Sequence, residues 1–137
     1  MNLAQIVKEK GKEIVTYHYS RDLFCDETTR DETWVYINGR HIDSYNKYVV
    51  DLGVLALVDG KEPVALEVEE IEHKKDYFRT VVRKYLLLLR PAKVTLRCSH
   101  YFKTMYSRPK EETWEEEIEV PIAPQEIIEY VKSKIQL

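Results

Sequence analysis

The sequence predicts an α/β (α+β) fold, with a central mixed β-sheet flanked by helices. Three observations point there. Apolar residues recur at helical spacing near both termini and over residues 73–90. β-Branched and aromatic runs lie between those segments. Two apolar runs within "DLGVLALVDGKEPVALEVEE", residues 51–70, read as strands joined by a tight turn.

Taken in order, Leu3, Ile6 and Val7 share one face of a short helix over residues 2–10, with Gly11 as its stop. IVTYHY (14–19) and TWVYIN (33–38) read as strands, and the polar stretch RDLFCDETTRDE between them as a loop. Asn38-Gly39-Arg40 marks a turn, and residues 48–58 and 63–70 form a hairpin. Over 73–90, Tyr77, Phe78, Val81, Val82, Tyr85, Leu86 and Leu89 fit the broad apolar face of a helix, with Asp76 near its start and Arg90-Pro91 ending it. KVTLRCSHYF (93–102) reads as a strand, WEEEIEVPI (114–122) as another, and PQEIIEYVKSKI (124–135) as a closing helix with proline in its first turn.

A chain of 137 residues forms a single domain, 1–137, able to bury a core without disulfides. No apolar run approaches the roughly 18 residues that span a bilayer. The stretch MNLAQIVKEKGKE lacks the apolar region of a signal peptide, and Cys25 and Cys98 have no metal-ligand spacing, so a reduced cytoplasmic protein is expected. Scarce Asn and Gln beside plentiful Glu, Lys, Val, Ile and Tyr lean towards a thermophile.

Charge is unevenly distributed. Residues 1–72 carry 8 basic and 15 acidic side chains, residues 73–110 carry 11 and 1, and residues 111–137 carry 2 and 8. An acidic segment holding metal ligands, followed by a basic one, suits an enzyme that cuts phosphodiesters; two solvated faces attracting each other within one fold explain it equally well.

Side chains alternate along a strand, so Glu67 and Glu69 point the same way. A two-residue Asp59-Gly60 turn puts Asp51 on the opposite face from them. A three-residue loop with Gly60 as the left-handed residue pairs 57 with 61 and sets Asp51 across from Glu67, and this register is preferred because it also aligns the apolar positions. Three converging carboxylates invite Mg²⁺ or Mn²⁺; the structural alternative is salt bridges to Lys74, Lys75 or Arg79.

With Asp51 opening the first run and Glu67-x-Glu69 closing the second, the segment "VDLGVLALVDGKEPVALEVE" (50–69) resembles the PD-(D/E)XK nuclease superfamily, which includes restriction enzymes and archaeal Holliday-junction resolvases. The resemblance implies a restriction-endonuclease-like core over about 2–100, with a peripheral strand and helix over about 111–137. It implies a metal-dependent nuclease hydrolysing DNA by attack of a metal-bound water, with Asp51 and Glu67 as metal ligands and Glu69 as a third ligand or general base. Glu69 stands where that family has Lys; Lys84 or Lys75 would then supply the missing amine. Glu9 or Glu13 would add a further carboxylate. The departure also opens an alternative, a catalytically inactive adaptor that binds nucleic acid or protein.

Lys74, Lys75, Arg79 and Arg83 on the expected basic helix are candidate phosphate contacts, extended by Arg97, His100, Lys103, Arg108 and Lys110, with Tyr101, Phe102 and Tyr106 available to stack on bases. The implied partner is DNA, duplex or branched, with no membrane, and a homodimer suits paired cuts. His18, His41, His73 and His100 show no zinc spacing. A Cys98 nucleophile beside Ser99-His100 is disfavoured, since adjacent strand residues face opposite ways. The acidic run EETWEEEIEVP (111–121) reads as a solvated strand edge or a protein-interaction segment.

Overall fold

A computed structural model describes residues 2–22, 27–75 and 79–136. The elements run α1 (Leu3–Lys10), β1 (Lys12–Asp22), β2 (Glu27–Ile37), β3 (Arg40–His41), a 3-10 turn (Ile42–Ser44), β4 (Asn46–Asp51), β5 (Val54–Asp59), β6 (Glu62–Lys74), β7 (Arg79–Leu88), β8 (Val94–Lys103), β9 (Lys110–Ile118) and α2 (Gln125–Lys134). The strands join in one antiparallel sheet of order β4-β5-β6-β7-β1-β2-β8-β9, with β3 paired to β2. It is not closed: β4 and β9 are its edges.

This corrects the expected α/β architecture. The flanking helix over 73–90 is instead the end of β6 and the whole of β7, and Asp76, Tyr77 and Phe78, part of that expected face, lie outside the described residues. Leu86 and Leu87 are both fully buried because the two faces of β7 are both covered. A strand covered on both sides reads as a continuous apolar run, and such a run also satisfies helical spacing. The segment 48–58 is likewise not one strand. Leu52 and Gly53 turn the chain between β4 and β5, Gly53 with φ +76°. The expected loop over 21–32 is mostly strand, with 23–26, including Cys25, outside the described residues. The short first helix, the strands at 14–19, 33–38 and 93–102, the Asn38-Gly39 turn and the closing helix all form as expected.

Two cores sandwich the β4–β7 half of the sheet. On one face Leu3 and Val7 of α1 and Ile127 and Val131 of α2 pack with Val54, Ala56, Leu66, Val68 and Leu87. On the other, Leu57, Ala65, Leu86 and Leu88 meet Ile14, Val35, Ile37 and Val94. The second contact arises because the sheet splits. β1 pairs with β2 only from His18 opposite Asp31 outward to Asp22 opposite Glu27, whereas the rest of β2 follows β8 as far as Ile37 opposite Val94. The β2–β8 half thus lays its apolar residues over the β6–β7 half. Gly11, which ends α1, is forced by close approach: a Cβ there would lie 2.5 Å from the carbonyl oxygens of both Val7 and Leu86. A parallel bridge between Leu88 and Ile122, with Ala123 N–H donating to the Leu88 carbonyl at 2.6 Å, leads the chain into α2.

Candidate functional site

Glu67 sits in the middle of β6, opposite Leu55 on β5 and Leu86 on β7, and its side chain is only 4% exposed. A carboxylate in such surroundings is costly unless charge compensates it. Two lysines do so. Lys47 of β4 brings Nζ to 3.6 Å from Glu67 Oε2, and Lys84 of β7 brings Nζ to 3.8 Å from Oε1. Both distances are ion pairs beyond hydrogen-bond reach, and Oε2 has no hydrogen-bond partner among the described residues.

The cluster continues outward. Asp43, from the 3-10 turn, lies 3.1 Å from Lys47 Nζ and 3.6 Å from Lys84 Nζ. Glu69 is directly opposite Lys84, at 3.8 Å. Burial opposes ionisation of Asp43, but the hydrogen bond from Lys47 and the charge of Lys84 outweigh it and hold the carboxyl below its ordinary pKa. Partial burial likewise opposes the charge on Lys47; the negative charges of Glu67 and Asp43 prevail and raise its pKa. Asp43 and Lys47 are therefore each held in the charged form by the opposite charges around them.

The expected metal pair is not assembled. Asp51 ends β4, opposite Val54, and β5 stands between it and the strand of Glu67. Its Oδ1 accepts a hydrogen bond from Leu52 N–H at 2.8 Å, and it lines a hollow with Asn2, Ala4 and Leu52. The turn between β5 and β6 also differs from both registers considered. Asp59 is opposite Glu62 around Gly60-Lys61, and a bulge at Leu57/Val58 shifts the pairing to Leu55 opposite Glu67. Glu9 accepts from Gln5, and Glu13 pairs with Thr16 and Arg83, so neither N-terminal glutamate is bound into the Glu67 cluster. Among the described residues no three His, Cys, Asp or Glu side chains are grouped so as to hold a metal ion. Of the expected catalytic set, Lys84 lies 3.8 Å from both Glu67 and Glu69.

The expected basic helix becomes two strand ends and a turn. Lys74 pairs with Glu72 at 2.6 Å, and Arg83 with Glu72 at 3.1 Å and Glu13 at 3.3 Å. Arg79 opens β7 opposite Lys74, and Lys75 lies in the turn after β6. Phosphate-binding candidates are thus partly neutralised by glutamates on the same sheet.

A second group of ionisable residues was read singly in the sequence and not as a cluster. Where β1 and β2 part, a cavity of about 390 Å³ is lined by His18, Asp31, Cys98, His100 and Trp114, with Thr16, Glu32, Thr33 and Ser99 completing it. His18, Asp31, His100 and Glu112 follow one another across β1, β2, β8 and β9. His100 Nδ1 is hydrogen-bonded to the Asp31 carboxylate, and Thr33 Oγ1 donates to Cys98 Sγ at 3.8 Å. The available signal was spacing: Cys98 and His100 are two apart on a strand and so share a face, although neighbours do not.

No helix among the described residues is long and apolar enough to cross a membrane. Comparison with protein-family models, with curated proteins and with solved structures finds no match.

Proposed function

We propose that this chain works by binding a partner, as a β-sheet adaptor, rather than by hydrolysis. The observation that carries this reading is the compensation of Glu67 by Lys47 and Lys84. A carboxylate poised for a divalent cation has its charge left for the metal; here two ammonium groups, from β4 and β7, already take that place. The separation of Asp51 from Glu67 by β5 and the partly neutralised Lys74 and Arg83 support the same reading.

A metal-dependent nuclease acting on DNA is the second reading, and one feature favours it. Lys84 stands beside Glu67 and Glu69, as an amine supplied from the following element would in a carboxylate–lysine site holding Mg²⁺ or Mn²⁺. One experiment separates the two. Labelled linear, branched and single-stranded DNA are incubated with Mg²⁺, Mn²⁺ or EDTA, using wild type, Glu67→Gln and Lys84→Ala, while thermal unfolding is followed with and without metal. The adaptor reading expects no cleavage and no metal-dependent shift in Tm. Metal-dependent cleavage abolished by both substitutions would replace it with the nuclease.

A further inference from the structure

The β9 edge and the cavity beside it are left unused by the charge cluster. We propose that they form a docking site for an extended basic peptide segment, which adds to β9 as a further strand and lays one arginine or lysine side chain against Trp114. The proposal deepens the binding reading and rests on it.

Backbone geometry comes first. Among the described residues β9 pairs with β8 alone, so along Lys110–Ile118 the outward N–H and C=O groups have no strand partner there, and every residue but Ile118 is exposed. Such an edge is a template for strand addition, where main-chain hydrogen bonds supply affinity and side-chain pockets supply selectivity.

Charge then selects the partner. The strand carries Glu111, Glu112, Glu115, Glu116 and Glu117. Glu115 is paired with Arg97 at 2.9 Å and Glu117 with Lys93 at 2.7 Å. Glu111, Glu112 and Glu116 have no ion pair among the described residues, which leaves a negative potential along the edge. A second copy of β9 is repelled by that row, as is a nucleic-acid backbone; a segment bearing Arg or Lys is attracted.

The cavity supplies the specific contact. Trp114, 44% exposed, forms part of its wall, with Asp31 and Glu32 from β2 also lining it. Asp31 is bonded to His100 and Glu32 is paired with Arg30 at 3.2 Å, so the indole, the best of the aromatic platforms for a cation, and Glu112 and Glu116 on the same face of β9 supply the contact. The cavity volume of about 390 Å³ lies within the range of ligand pockets. Glutamates alone suffice to guard an edge against aggregation, whereas a half-exposed tryptophan bordering a cavity weakens that protection.

The test uses the full chain and a fluorescein-labelled nonapeptide of alternating arginine and threonine, followed by fluorescence anisotropy. Two probes of equal length accompany it, the peptide with glutamate in place of arginine and a single-stranded RNA. Saturable binding of the arginine peptide alone is expected, weakening with salt and slowing amide hydrogen exchange in β9. Trp114→Ala should weaken binding about tenfold, the scale of a desolvated cation–π contact. Glu112→Gln with Glu116→Gln should weaken it severalfold at low salt and remove most of the salt dependence. Both changes are on the exposed edge, and circular dichroism checks the fold, with Trp114→Phe standing in if alanine disturbs it. The proposal is overturned by no saturable binding, by affinity indifferent to both sets of substitutions, or by equal or tighter binding of the RNA. If the peptide fails while DNA stays uncut and Tm ignores metal, this site falls and the binding reading stands; metal-dependent cleavage removes that reading itself.

Discussion

The two ends of the sheet treat glutamate in opposite ways. In the β4–β7 half Glu67 is 4% exposed, is held between Lys47 and Lys84, and has Leu55 and Leu86 as its cross-strand neighbours. In β9 five glutamates stand in solvent on a strand with one neighbour. The same side chain is thus enclosed in an ion cluster at one end and leaves a surface charged at the other. Burial decides the difference: in the interior an unpaired charge costs several kcal/mol, while at the surface pairing is worth less than about 1 kcal/mol.

Substitutions can break that contrast, and the largest effect is expected in the interior. Lys84→Met removes one of the two cations facing Glu67 and leaves its charge half compensated. We expect a loss of about 3 kcal/mol, measured by urea unfolding, with a fall in Tm of roughly 10 °C. Combining it with Glu67→Leu should restore much of that loss, since a well-packed apolar group replaces the orphaned carboxylate. An additive double variant would show that the two groups do not interact.

Gly11→Ala ranks next. Its Cβ would lie 2.5 Å from two backbone oxygens, so α1 must shift off β7, at a cost of about 1–3 kcal/mol. Native stability measured with and without the substitution checks this. No loss of stability would mean that α1 docks loosely on the sheet.

Acid should produce a smaller, graded loss. The Asp43 carboxyl is held below its ordinary pKa, so its contribution is present above about pH 3.9 and disappears as pH falls through the lower folded value. Glu70, hydrogen-bonded by Lys8, and Glu72, hydrogen-bonded by Lys74 and Arg83, are shifted the same way. Lys47 is raised, and its contribution is present below about pH 10.4 and lost as pH rises through the higher folded value. These groups should therefore produce a loss of stability at the acid end and another at the alkaline end. In Asp43→Asn the acid limb should shallow; an unchanged limb would remove Asp43 from the cluster.

At the exposed edge the expected effect is smallest. Glu112→Gln and Glu116→Gln should each change stability by no more than about 0.5 kcal/mol, whatever they do to binding. A larger loss in either would mean that β9 glutamates support the fold.

How much of this was legible follows the range of each interaction. α1 and α2 announce themselves by local spacing, Leu3 with Val7 and Ile127 with Val131, and by Gly11 and Pro124 at their boundaries. β1, β2 and β8 show in their β-branched and aromatic runs. Residues 79–89 misled because burial on both faces erases strand alternation, leaving Val81, Val82, Tyr85, Leu86 and Leu89 as a false helical stripe. The carboxylate site misled for a different reason. Glu67 is a buried acid as its sequence setting suggested, but its partners come from β4 and β7, at sequence separations that no local pattern encodes. Asp51 was expected across from Glu67, but the Leu52-Gly53 turn leaves it opposite Val54.

The core shared by α1 and α2 has a consequence for the order in which this protein can fold. β1 pairs with β7 across sixty or more intervening residues, and the apolar face of β5, β6 and β7 is covered by Leu3 and Val7 from one side of the sequence and Ile127 and Val131 from the other. During synthesis, Val54, Leu66, Val68 and Leu87 leave the ribosome well before residues 123–135 can shield them. A nascent chain at that stage has its β5–β7 apolar face only partly covered, and its remaining contacts are distant in sequence, which slows folding.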